Sequence, residues 1–193
     1  LYSSAASDVY KRQITYLSLR RKSEDHRLVD ELRPPEVQIV DYEARFACHF
    51  ASLNYQWITE YFRVEEEDRK ALDDPEVYAI EPGGNIFFLL EDGTPVGTVA
   101  MVPITPTEDR KELCFELAKM AVRPDSRGKG YGSMLMQRCL DFARAAEAHE
   151  IMLVTNDVLS AAVALYEQAG FREVCEYSDA RYERGNLEMR LVL

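Results

Sequence analysis

Long apolar runs are missing from this chain of 193 residues. The longest, such as Ile86-Phe87-Phe88-Leu89-Leu90, falls far short of the ~20 residues a membrane-spanning helix needs. The first residues show no basic stretch followed by an apolar core, so no secretory leader is read there. Cysteine is sparse. Cys48, Cys114, Cys139 and Cys175 form no C-x-x-C pair, and His26, His49 and His149 form no H-E-x-x-H. No metal site is expected, and reduced thiols in a cytoplasmic setting are. Positive charge is short too, with 23 Lys and Arg against 34 Asp and Glu, a net −11. Such a surface repels phosphate backbones and anionic lipid, which argues against nucleic-acid and membrane partners. What remains is ordinary for a globular domain, 47% apolar and 30% charged, in a chain long enough for one core.

The organisation follows from punctuation and period. Leu1 to Gln13 resembles a translated sequencing-adapter read-through and is set apart as a non-native tail. Residues 14–35, charged and ending in Pro34-Pro35, are expected to be a flexible N-terminal segment. A single domain is expected over 36–193. Val37 to Val40 is a strand candidate. Phe46, Phe50, Leu53, Trp57 and Tyr61 recur at helical spacing and are expected to pack on a sheet, with a pocket wall as the competing role. Glu65-Glu66-Glu67-Asp68 reads as a solvated face or, more pointedly, as an attractor of a cationic amine.

Strands at 87–91, 96–104 and 113–122 are separated by Asp92-Gly93-Thr94-Pro95 and a polar excursion, so they read as a meander. After Val122 the period becomes 3.6. Leu135, Cys139, Phe142, Ala143 and Ala146 share one helical face. A buried strand at 151–155, a helix at 161–169 stopped by Gly170, and closing strands at 171–175 and 187–193 complete a mixed α/β (α+β) chain. Leu187, Met189, Leu191 and Leu193 alternate with Glu188, Arg190 and Val192, so one face of the last strand is expected to be buried.

The chemistry concentrates in Val122-Arg123-Pro124-Asp125-Ser126-Arg127-Gly128-Lys129-Gly130-Tyr131-Gly132, where a strand runs through a glycine-rich loop into a helix. Unpaired N–H groups and the helix dipole attract an anion there. From Leu117 to Arg138 five basic residues (Lys119, Arg123, Arg127, Lys129, Arg138) stand against one acid, Asp125, and this local excess strengthens a phosphate role. A Walker loop is excluded because Gly130 follows Gly128-Lys129 where Ser or Thr is needed. A dinucleotide fingerprint fails because the spacing is G-x-G-x-G.

Arg127-Gly128-Lys129-Gly130-Tyr131-Gly132 resembles the (Q/R)-x-x-G-x-(G/A) pyrophosphate loop of the GNAT superfamily of acyl-CoA-dependent N-acyltransferases. Glu116 to Val122 resembles that family's central strand. Leu165-Tyr166-Glu167-Gln168-Ala169-Gly170-Phe171 resembles its late L-Y-x-x-x-G-F motif. The resemblance implies a mostly antiparallel mixed sheet splayed between two parallel strands and flanked by about four helices. It implies acetyl-CoA as co-substrate, attacked directly by a primary amine of a small molecule, amino acid derivative or peptide. Arg127, Gly128, Lys129, Gly130, Tyr131 and Gly132 would hold the pyrophosphate through their backbone. Met120, Ala121 and Val122 would pair with the pantetheine as an added strand does.

Tyr166 is the implied general acid, since a phenol of pKa ~10 can protonate a departing thiolate. Glu116 is the candidate base for the acceptor ammonium, with strand parity matching Ala118, Met120 and Val122. The asparagine that many members carry seven residues before the tyrosine is Leu159 here. Asn156 stands ten before and is the cofactor-contact candidate, with an Asx turn as its competing role and Ser160 as an equally plausible cap. A non-catalytic acyl-CoA-binding module is the alternative function, and a transcription-regulator fragment ranks below it. Homodimers are common in the family resembled.

Overall fold

A computed structural model describes residues 33–107, 111–174 and 183–193, together with Lys11 and Leu17. The expectations for the two N-terminal segments therefore lie almost wholly outside the described residues, as do Cys175, residues 108–110 and residues 176–182.

The described strands are β1 (Val37–Asp41), β2 (Asn85–Glu91), β3 (Thr94–Pro103), β4 (Cys114–Val122), β5 (Glu150–Thr155), β6 (Arg172–Glu173) and β7 (Leu187–Val192). The helices are α1 (Ala47–Tyr61), α2 (Glu66–Asp73), α3 (Tyr131–Ala145) and α4 (Ser160–Ala169). One seven-stranded sheet runs in the order β1-β2-β3-β4-β5-β7-β6. All neighbours are antiparallel except β4 and β5. The meander and the mixed sheet expected from the sequence are both present.

The apolar run of β2 is continuous because both of its faces are covered. Phe87 and Leu89 join a core with α3 and α4 through Leu135, Cys139, Ala143 and Tyr166. Ile86, Phe88 and Leu90 join a second core on the opposite face, with Phe46, Phe50, Ile58 and Leu72 of the α1–α2 layer. The predicted aromatic stripe divides. Phe46, Phe50 and Leu53 are buried, whereas Tyr61 is 49% exposed.

The alternation expected for β7 holds only in part. Leu187 and Met189 are buried, but so is Glu188, whose carboxylate takes Arg190 at 2.6 Å on the opposite face.

Two irregularities prepare a site. Strand β4 pairs with β5 through only three rungs, Cys114 with Glu150, Phe115 with Ile151 and Glu116 with Met152. Both strands continue beyond that point but separate, leaving a wedge. Secondly, Thr98 and Ala100 of β3 oppose Ala121 and Ala118 of β4, so β4 carries one extra residue there. Lys119 lies in this bulge with φ of +54°. The bulge overturns the parity expected for Glu116. Met120 and Val122 pack against the same core as Phe115 and Leu117, while Glu116 and Ala118 alternate to the other side before the bulge.

Candidate active site

The wedge between β4 and β5 opens into a cavity of about 660 Å³. Its walls are residues 116–122 of β4, 126–133 of the loop and the start of α3, 154–156 after the β5 opening, and the first half of α4 with Tyr166. Trp57, Tyr61 and Phe62 from the end of α1 and Arg184-Gly185 before β7 complete it. Every site residue named from the sequence lies on this wall: Glu116, Met120, Ala121, Val122, Arg127, Gly128, Lys129, Gly130, Tyr131, Gly132, Asn156 and Tyr166.

At one end the loop delivers the N-terminus of α3. Gly130 is its N-cap, in the left-handed region with φ of +86°, and no side chain caps the helix. The N–H groups of Tyr131, Gly132 and Ser133 thus lack acceptors within their helix and sit on the cavity wall. A β-carbon added at Gly130 would meet nothing within 4 Å, so the residue's role is its φ and its openness.

The local excess of positive charge counted along the sequence does not survive folding. Lys119 meets Asp68 at 2.7 Å, Arg123 meets Asp125 at 2.5 Å, and Arg127 meets Glu60 at 3.2 Å. Lys129 meets Glu91 at 2.6 Å and Arg138 meets Asp41 at 2.9 Å. All five cations have carboxylate partners, so the capacity to hold an anion here rests on backbone donors and the helix dipole.

Glu116 occupies the last paired rung of β4, at the vertex of the wedge, and is only 7% exposed. It is thus a buried wall residue and not an exposed strand position. Tyr166 is buried against Phe171, and its hydroxyl is pushed up to about 12 by burial and by the nearby Cys139 thiol. The phenol stays protonated throughout the neutral range.

Asn156 forms the Asx turn, its Oδ1 accepting from Val158 N at 2.9 Å while its Nδ2 donates to the Arg184 carbonyl at 2.6 Å. Ser160 is not the cap of α4. Leu159 occupies that place, with no side-chain cap.

Sequence reasoning missed a buried charge cluster on the other side of the cavity. Asp68, fully buried, accepts from Lys119 Nζ at 2.7 Å and from two nitrogens of Arg184 at 2.7 Å each. Arg184 also reaches Glu65 at 2.9 Å and lies about 6 Å from the rings of Trp57 and Phe62. The acidic run is therefore neither wholly solvated nor available to a cationic acceptor. Glu65 and Asp68 close a capping box at the start of α2 and bind two cations, while Glu66 and Glu67 pair with Lys70 at the surface. The spacing Glu65-x-x-Asp68 was a visible capping signal. The partner Arg184, 116 residues away, had none.

No described helix is long and apolar enough to cross a membrane. The acetyltransferase (GNAT) family profile matches residues 51–171. Over 95 residues the chain is 32% identical to N-acetyltransferase family 8 member 2 of Rattus norvegicus, covering 49% of this chain and 41% of that protein. Over 107 residues it is 36% identical to N-acetylaspartate synthetase of Danio rerio, covering 55% and 36%. The chain thus spans about two fifths of the length of these curated relatives. A crystal structure from Clostridium acetobutylicum solved with acetyl-CoA superposes with a TM-score of 0.63 at 17% identity, covering 75% of this chain and 95% of that one. With more than half of its length matched by the family profile, and with the sheet wedge and glycine loop in place, this chain belongs to the acetyltransferase (GNAT) family.

Proposed function

We propose that the chain is a cytoplasmic N-acetyltransferase that moves an acetyl group from acetyl-CoA to a primary amine by direct attack. One observation carries this: the open edge of β4 and the side-chain-uncapped N-terminus of α3 face one cavity, with Glu116 and Tyr166 on the same wall. The donor set fits acetyl-CoA. Backbone N–H groups at the α3 terminus suit a pyrophosphate, and the unpaired stretch of β4 suits the amides of a pantetheine. The names of the curated relatives also support N-acetylation.

Glu116 takes a proton from the acceptor ammonium, through water, and so frees the nitrogen lone pair. A backbone N–H near Met120 stabilises charge developing on the thioester oxygen as the new N–C bond forms. Tyr166 donates its proton to the sulfur as the C–S bond breaks, and the proton that the new amide nitrogen loses restores the phenol through water. Burial pushes the Tyr166 phenol up to about 12, so it is protonated and able to donate throughout the neutral range. The acceptor end is walled by Trp57 and Phe62 beside Arg184, and the carboxylates of Glu65 and Asp68 are already paired, so acceptors with an apolar body fit better than polycations.

Calorimetric titration of acetyl-CoA, followed by an amine panel with free-thiol detection, tests the proposal. Donor at a hundred times Kd should add ~2.7 kcal/mol, a melting shift of about 5–10 °C. Tyr166→Phe should lower kcat by about a hundredfold at unchanged donor affinity. Binding without turnover across the panel would make the chain a non-catalytic acyl-CoA module. No binding by folded protein would refute both.

A further inference from the structure

Asp68 is a charge with no contact to the cavity, yet it governs two of its walls. Its carboxylate accepts from Lys119 Nζ at 2.7 Å, from Arg184 Nη1 and Nη2 at 2.7 Å each, and from the backbone N–H of Glu65 at 3.0 Å. Burial pushes its carboxyl up, but Arg184, Lys119 and the Glu65 N–H more than offset this and hold it below the usual carboxylate value. One of these partners is the bulge residue of β4. Lys119 has φ of +54°, a conformation that a β-carbon disfavours, and lysine has no short side chain to hydrogen-bond locally and relieve it. The bulge lies in the part of β4 that borders the wedge, between Glu116 and the glycine loop.

We infer that Asp68 is a positioning residue for transfer. Through Lys119 it holds β4 in its left-handed bulge, and through Arg184 it fixes residues 183–186 over the same cavity. Without the ion pair an L-residue at 119 relaxes toward extended backbone, the register of β4 shifts, and the groups at Met120 turn away from the thioester. This rests on the acetyltransferase reading.

Lys119→Ala and Lys119→Gly test it. Both delete the ammonium and leave Asp68 with Arg184, but only glycine adopts positive φ without penalty. Lys119→Ala is expected to lower kcat about a hundredfold, the scale of a displacement of about 1 Å at the reacting centre. Lys119→Gly is expected to lose less than about a tenth of that factor. Donor Kd should move less than about threefold in Lys119→Gly, whereas in Lys119→Ala it should weaken along with kcat, because residues 120–122 of β4 pair with the pantetheine while the loop backbone carries the pyrophosphate.

Equal losses in the two variants, or no loss in either, would overturn the inference, since a purely stabilising ion pair is indifferent to backbone freedom at 119. Should Lys119→Ala fail to fold, kcat of Asp68→Asn with Lys119→Ala against Asp68→Asn with Lys119→Gly asks the same question with both charges removed, and the higher rate in the glycine variant is the expected result. The wild-type chain is assayed first. Absent turnover there refutes the enzyme reading, whereas equal losses in an active enzyme refute only the role of Asp68.

Discussion

The two ends of the cavity both use ion pairs, but in different surroundings. At the loop end Arg127 and Glu60 are 41% and 42% exposed. At the acceptor end Asp68 is fully buried, Lys119 4% exposed and Arg184 14%. An exposed pair contributes ~0–1 kcal/mol, because water screens it and two long side chains lose freedom. Breaking a buried pair by removing one partner costs about 3–5 kcal/mol, because the other charge is left without water. The loop end is therefore electrically soft and built on backbone, whereas the acceptor end is built on side-chain charge and stiff.

Asp68→Asn should break the stiff end with the largest effect, destabilising the fold by about 3–5 kcal/mol in thermal or urea unfolding near neutral pH. The pH dependence has a definite sign. The folded-state carboxyl lies below its unfolded value of 3.8, so its contribution is present above that value and is lost as pH falls through the folded value. The gap between wild type and Asp68→Asn should therefore be widest above pH ~5 and narrow below pH ~4. A gap constant down to acid pH would mean that the carboxylate charge contributes nothing.

Gly130→Glu should break the soft end by a smaller free energy but a more specific route. A side chain at φ of +86° costs about 1–2 kcal/mol of strain, and its β-carbon meets open space, so the fold should survive. The added carboxylate faces the donors at the start of α3, and acetyl-CoA affinity should fall about a hundredfold or more by calorimetry. Retained affinity would remove the loop from donor binding.

How much was legible in the sequence follows the same division. The loop end could be read because its determinants are local: glycines that permit left-handed backbone, a strand ending and a 3.6-residue period beginning. Its architecture, the β4–β5 wedge and the placement of Tyr166 on α4 came with the same motifs. The acceptor end was readable only in part: the stripe ending in Trp57 and Tyr61 carried a pocket wall as its competing role, and both line the cavity, but the charge cluster beside them was hidden because its determinants are distant in the chain. Asp68 meets Lys119 across 51 residues and Arg184 across 116. The bulge at Lys119 gave no signal either, since lysine is not a residue that marks positive φ, and missing it reversed the parity assigned to Met120 and Val122. Charge counted along the chain misled for a related reason. The partners of Lys119, Arg127, Lys129 and Arg138 come from other elements.

The smallest effect sharpens the comparison most. Arg127 holds Glu60 at 3.2 Å and the Val122 carbonyl at 3.2 Å, so its side chain is engaged with protein beside the helix terminus. If backbone donors carry the pyrophosphate, Arg127→Met should change stability and acetyl-CoA affinity by less than about 1 kcal/mol each. Glu60→Gln should then leave affinity unchanged. If the guanidinium instead leaves Glu60 for the phosphate, Glu60→Gln removes a competitor and tightens binding, while Arg127→Met weakens it about tenfold, with a steeper dependence on salt. Two calorimetric titrations at low and moderate ionic strength separate these cases, because the sign of the Glu60→Gln effect differs between them. Unchanged affinity in both variants assigns donor recognition at this end to the backbone of the loop and the first turn of α3.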